Sequence, residues 1–162
     1  MTCRRQATTG HRASRLLAVL TLSALLWTIL AGTAHAASYR HRLLRLINHS
    51  RVLHDRRPVR INLRLSRDAT AHTRRMLRDN RLYDVSNLAS VLEPYRWSNM
   101  GADVVGCGDT LHQMHRALIR HALHRRIILN AKVRRVGIGV IKDRGKSLCG
   151  RNAVWATELY YG

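Results

Sequence analysis

The sequence predicts an α/β domain in which helices cover a sheet whose antiparallel strands come late in the chain. In the first half, apolar residues recur at helical spacing, with Leu43, Leu46, Ile47, Ser50 and Leu53 at i, i+3, i+4, i+7 and i+10. Val136, Ile138 and Val140 instead alternate with Gly137, Gly139 and Ile141, which is the period of a strand. A loop centred on Gly145 then reverses the chain, and Val154 to Tyr161 supplies the antiparallel partner.

Taken in order, residues 40–54 form a one-sided amphipathic helix that Asp55, Arg56, Arg57 and Pro58 end. Asn62 is placed to cap a second helix over 63–80, whose stripe is Leu65, Ala69, His72 and Met76. On that stripe His72 reads as a hydrogen-bonded core histidine rather than a catalyst. Residues 81–108 are less regular, with Tyr83, Trp97 and Gly101 as landmarks and a short strand from Asp103 to Gly106. Asp109 is expected to cap a third helix running to about 122, with Leu111, Met114, Leu118 and Ala122 on one stripe, and residues 124–130 a short fourth helix.

Three segments carry a resemblance. His124-Arg125-Arg126-Ile127-Ile128-Leu129-Asn130, then Val136-Gly137-Ile138-Gly139-Val140, then Ala153-Val154-Trp155-Ala156-Thr157 run in step with H-R-x-N-I-L-N, [IV]-G-[IV]-G-V and a closing Y-W-x-T. The opening adds Leu43-Leu44-Arg45-Leu46-Ile47-Asn48 with Arg51, followed by Leu65-Ser66, Ala69, His72-Thr73 and Met76. This resembles the bacterial CAP family (cysteine-rich secretory, antigen 5 and pathogenesis-related proteins). The resemblance implies a three-layer α-β-α sandwich over residues 40–162.

Arg4, Arg5, Arg12 and Arg15 precede an apolar run from Leu16 to Gly32, and Ala34-His35-Ala36 has small-x-small spacing. Residues 1–36 therefore read as a secretory signal peptide cleaved after Ala36, leaving a domain over 37–162 with no spanning segment, secreted or held at the cell surface. The alternative is an uncleaved anchor, because the run is at the short end of the roughly 17 to 25 residues that span a bilayer. Thr33 stands where a lipoprotein box would need cysteine. Cys107 and Cys149 are the cysteines of the remaining domain, and an even pair in an exported chain points to a disulfide, with two buried thiols as the alternative.

Basic residues number 29 and acidic ones nine, and with the four leader arginines removed the domain still carries +16. An excess of that size lies on the surface and attracts polyanions, unless arginine-rich codon usage has merely spread it over solvated positions. The pairs Arg56-Arg57, Arg74-Arg75, Arg125-Arg126 and Arg134-Arg135 offer bidentate forks to phosphate. Aromatics are 5% of the chain and phenylalanine is absent, so the stacking platform of a nucleic-acid binder is lacking and no specific nucleic acid is expected. Nor is there a G-x-S-x-G, H-E-x-x-H, phosphate-binding glycine loop or C-x-x-C, and no cofactor is expected.

The resemblance implies a central groove that, when complete, holds two histidines and two glutamates able to bind a divalent metal. His124 takes the place of one histidine. Asp84 stands where the other would be, Ala102 stands at the first glutamate and has no ligand atom, and the second glutamate position falls near His121. Asp84, His121 and His124 are thus the candidates for a rebuilt site, with Arg125 and Arg126 beside them. His121 and His124 read as i, i+3 neighbours on one helix, with His112 and His115 facing the opposite way round the same axis. Two functions follow: a non-enzymatic binder of anionic envelope polymers, lipids or a partner protein, and a metal-dependent hydrolase at Asp84, His121 and His124.

Overall fold

The computed structural model describes residues 38–98 and 100–162; the leader read at 1–36 lies outside them. The sheet is built on β3 (Arg135–Lys142) and β6 (Val154–Tyr161), paired antiparallel with Ile138 opposite Glu158. β2 (Gly101–Gly108) adds antiparallel to the free side of β6, and the two-residue β1 (Arg60–Ile61) adds parallel to β3, giving the order β1-β3-β6-β2. β1 has no signal in the hydrophobic pattern, being too short to show a period.

Alternation along the strands divides the core into two faces. Val136, Ile138 and Val140 of β3, with Val154, Ala156 and Tyr160 of β6, pack on one side. They meet Leu43 and Ile47 of helix α1 (38–52), Leu111, Met114 and Leu118 of α4 (Leu111–Arg120), and Ile128 of α5 (Ala122–Ile128). On the other side Leu159 and Trp155 meet Leu65, Ala69 and Met76 of α2 (Leu63–Arg78), and Leu92 closing α3 (Leu88–Leu92). The result is the expected three-layer α-β-α sandwich. Among the described residues no helix is long and apolar enough to cross a membrane.

The glycines of β3 set how closely α2 approaches. A Cβ on Gly139 would stand 2.4 Å from the backbone of Ala69 and Thr70, and one on Gly137 would stand 2.4 Å from the Leu65 side chain. The helix therefore rests on bare strand backbone. Thr73 ties the same contact, its hydroxyl lying 3.3 Å from Gly139 O and 2.9 Å from Thr157 Oγ1.

The Asn62 cap is as expected, its Oδ1 accepting from Leu65 N at 3.1 Å. Other boundaries differ. Thr110, not Asp109, caps α4, because its hydroxyl accepts from Gln113 N at 3.2 Å. Strand β2 runs from 101 to 108 rather than 103 to 106, since its pairing with β6 continues past the apolar residues. The Gly145 loop is a small ribbon of β4 (Lys146–Ser147) and β5 (Gly150–Arg151).

Cys107 of β2 and Cys149 at the tip of that ribbon form a disulfide, with Cα atoms 6.0 Å apart and a sequence separation of 42. Asn80 holds the tip as well, its Oδ1 accepting from Leu148 N at 2.8 Å. Closing a loop of this length removes chain entropy from the unfolded state worth about 4 kcal/mol. Cys149→Ser is expected to lower the unfolding free energy by about that much in chemical denaturation. Equal stability of parent and variant under non-reducing conditions would show that the bridge does not constrain the unfolded chain.

Candidate functional site

His124 lies in the first turn of α5 and His121 in the break before it. α4 ends at Arg120, and His121 has extended backbone (φ −77°, ψ 118°), serving both as the end of α4 and as the start of α5. The two histidines are therefore not neighbours on one continuous helix, and α4, which carries His112 and His115, has its own axis. The break nonetheless brings the rings together, with centroids 4.5 Å apart.

Burial, then the neighbouring His121, holds His124 below its ordinary value, while Asp84 and Asp103 pull the other way. Asp103 is the acidic residue that sequence reasoning missed. Ala102 and Asp103 point to opposite faces of β2, and the half-buried Asp103 carboxyl acts on His124 after Asp84. Its Oδ2 accepts from Val85 N at 2.8 Å, which fixes the segment carrying Asp84. Burial raises Asp103, the Val85 N–H opposes the rise, and Asp84 adds to it. Asp84 itself is exposed. Among the described residues no group of three or more His, Cys, Asp or Glu is arranged to hold a metal ion, so Asp84, His121 and His124 are near one another without forming a ligand set.

Two other histidines do structural work. His72 is buried on α2, its Nε2 donating to Tyr83 O at 2.8 Å, as its place on the apolar stripe predicts. His115 is buried between α1 and α4, 2.8 Å from Ser50 Oγ, and burial, followed by His112, pushes it down to about 4.

Beside the histidine pair lies a depression of about 520 Å³ lined by Arg56, Arg120, Arg125 and Arg126 together with Ala122, Leu129, Asn130 and Ala131. No acidic side chain lines it. Arg56 is anchored by Nε donating to Leu129 O at 3.1 Å. Arg125 donates to His54 Nε2 at 3.2 Å, and His54 Nδ1 lies 2.8 Å from Ser50 O. A carbonyl only accepts and a guanidinium only donates, so His54 carries its proton on Nδ1 and presents a lone pair to Arg125. Arg134, by contrast, turns back to the carbonyls of Ala131 and Val133. The Arg134-Arg135 pair thus does not extend the same wall.

Under this surface sits Arg51, fully buried without a carboxylate partner. Its guanidinium donates to Arg57 O, Ile128 O, Asn130 O and Val133 O. Burial lowers its pKa, and Tyr160 opposes that shift. Tyr160 OH in turn donates to Glu158 Oε2, while Glu158 Oε1 has no partner. Burial pushes the Glu158 carboxyl up to about 7, despite the Tyr160 hydrogen bond.

With the geometry in place, the comparisons fall into line. The model of the cysteine-rich secretory protein (CAP) family matches residues 44–160, and this chain belongs to that family. Among solved structures it is similar to an extracellular protein containing an SCP domain from Bacillus anthracis, at 15% identity and a TM-score of 0.58. That match covers 78% of this chain and 41% of the other. A cysteine-rich secretory protein from Staphylococcus aureus gives 16% identity and a TM-score of 0.55, covering 78% of this chain and 39% of the other. An outer surface protein of Borrelia burgdorferi gives 9% identity and a TM-score of 0.58, covering 77% of this chain and 94% of the other. The chain thus spans less than half the length of the first two, and these likenesses speak to fold alone. No curated protein matches significantly.

Glu158 makes a pH prediction with a defined sign. Below the ordinary glutamate value of 4.5 both folded and unfolded chains are protonated. Between 4.5 and about 7 the unfolded chain ionises while the folded one keeps its proton, so stability falls across that window, by on the order of 3 kcal/mol. Glu158→Gln keeps an acceptor for Tyr160 and removes the titration. Denaturant unfolding at pH 5 and pH 8 is expected to show the parent losing stability relative to the variant; parallel curves would contradict the buried carboxyl.

Proposed function

We propose that this is an exported CAP-domain protein, with a leader over 1–36 and its working domain over 37–162, that acts outside the cell or at its surface by binding rather than catalysis. Its ligands on this reading are anionic envelope polymers or phospholipid headgroups. The observation that carries the proposal is a cationic surface with almost no internal neutralisation. Among the described residues, which include all nine acidic side chains, one ion pair forms, between Arg78 and Asp79.

Of the other eight acids, four are committed within the domain, while Asp55, Asp84, Glu93 and Asp109 are exposed and form no ion pair with an arginine. Asp68 accepts from Tyr95, Asp103 from Val85, Asp143 from Gly145, and Glu158 is buried. The arginines therefore keep their charge available to an external anion, and attraction to a polyanion is the physical consequence. Export is supported by the arginine-led apolar run at the N-terminus and by likeness to proteins described as extracellular or outer-surface. The metal-dependent hydrolase at Asp84, His121 and His124 has no comparable support, because those side chains are not gathered into a coordinating set.

The test is the salt dependence of binding. The mature domain is expected to be retained on heparin and on vesicles containing phosphatidylglycerol but not on pure phosphatidylcholine. Apparent affinity should fall linearly in log–log form as salt rises, because each neutralised phosphate releases counterions. Retention that is insensitive to salt would mean that apolar surface does the binding and would overturn the reading.

A further inference from the structure

The arginine-walled depression has features that a merely solvated basic face lacks. Its four guanidiniums come from three separate segments: Arg56 from the turn after α1, Arg120 from the end of α4, and Arg125 and Arg126 from α5. Two of them are held in place by neutral acceptors, Arg56 by Leu129 O and Arg125 by His54 Nε2, so their orientation is fixed without loss of charge. Less side-chain entropy then remains to be lost when an anion arrives.

The end of α5 should work against an anion, because exposed carbonyls at a helix C-terminus carry partial negative charge. Here most are occupied, Arg125 O by Leu129 N and Ile127 O by Asn130 N, and the carbonyls around and after the helix end are occupied by arginines. Ile128 O and Asn130 O accept from Arg51, Leu129 O from Arg56, and Ala131 O from Arg134. The acceptors next to the depression are therefore largely occupied, and its charged lining residues are all cationic.

We propose that this depression is a phosphate-binding site, distinct from the His121 and His124 pair, and that His54 is a positioning residue acting through Arg125. The inference rests on the reading of the protein as an anion binder and narrows it to one place and one chemistry. Phosphate is favoured over carboxylate by the arrangement of donors. A carboxylate presents two oxygens in a single plane, which one or two guanidinium forks exhaust, whereas a tetrahedral phosphate offers oxygens to several forks arriving from different segments. At about 520 Å³ the depression also has room for a phosphodiester with its flanking alcohols, so either a polymer phosphate in solution or a phospholipid headgroup meets the same donors.

Binding is measured by calorimetry with soluble inorganic polyphosphate, and by co-sedimentation with phosphatidylglycerol vesicles, at matched ionic strength. The proteins are the parent, the Arg125→Gln/Arg126→Gln variant, and a charge-matched Arg67→Gln/Arg74→Gln variant altered on α2 across the sheet. The depression variant is expected to lose about tenfold in affinity and the α2 variant less than about twofold. Binding in both arms identifies phosphate itself as sufficient. Binding to vesicles alone, still lost in the depression variant, places the phosphate in a lipid headgroup. Polygalacturonate, carrying carboxylates at comparable density, is expected to bind more weakly than polyphosphate and to be nearly indifferent to the depression variant.

For His54 the readout is a double-mutant cycle. His54→Ala is expected to weaken phosphate binding severalfold in the parent and to have no further effect once Arg125 is Gln. Equal losses in both backgrounds would overturn the positioning role. If the depression and α2 variants lose affinity alike, the site is wrong while the anion-binding reading stands; if the parent binds neither anion in a salt-dependent way, both fail.

Discussion

A single buried cation organises this half of the molecule. Arg51 reaches from the end of α1 into the core and gathers the carbonyls of Arg57, Ile128, Asn130 and Val133. An ion so placed is costly to desolvate and is held here by hydrogen bonds to backbone dipoles rather than by an opposite charge. Replacing it with an apolar side chain would remove the desolvation penalty but leave the buried Ile128 carbonyl unpaired, at a cost of roughly 1 to 3 kcal/mol. The consequence is geometric. The stretch from the end of α5 to the start of β3 must follow the guanidinium, and that stretch helps to line the arginine-walled depression.

The sheet imposes the second constraint. Because β6 lies between β3 and β2, every residue of β6 is committed to one face or the other, and Glu158 falls among apolar neighbours on the same face as Tyr160. Across the sheet the glycines of β3 let α2 sit directly on the strand. β2 is left as an edge strand, from which the Asp103 carboxyl acts on His124 at the α4–α5 break. The candidate groups therefore lie on two neighbouring but different surfaces. One is an imidazole pair with two carboxylates nearby; the other is a wall of cations with no carboxylate.

Much of this was legible in the sequence where the information is local. The Asn62 cap, the Val154 to Tyr161 strand and the buried His72 follow from spacing within a few residues. Helix ends were less legible, because Asp109 and Thr110 are both good caps and only the hydroxyl-to-Gln113 hydrogen bond separates them. The break at His121 has no glycine or proline to announce it. Asp103 was overlooked because comparison by motif put Ala102 at the acidic position, whereas what matters is which face of an edge strand a carboxyl leaves from. Arg51 was visible as the last residue of the opening motif, but not as a buried ion. The depression could not be read at all: Arg56 and Arg125 are 69 positions apart, and only the fold brings them together.

One arginine is structural and buried, while four others line a single depression. Side-chain Nε and backbone resonances of 15N-labelled domain, followed during titration with inorganic phosphate, separate the two groups directly. Shifts are expected to concentrate at Arg56, Arg120, Arg125 and Arg126, with the Arg51 Nε proton slow to exchange with water and unmoved by phosphate. Shifts spread evenly over arginines on both faces of the sheet, or rapid exchange at Arg51, would contradict this arrangement.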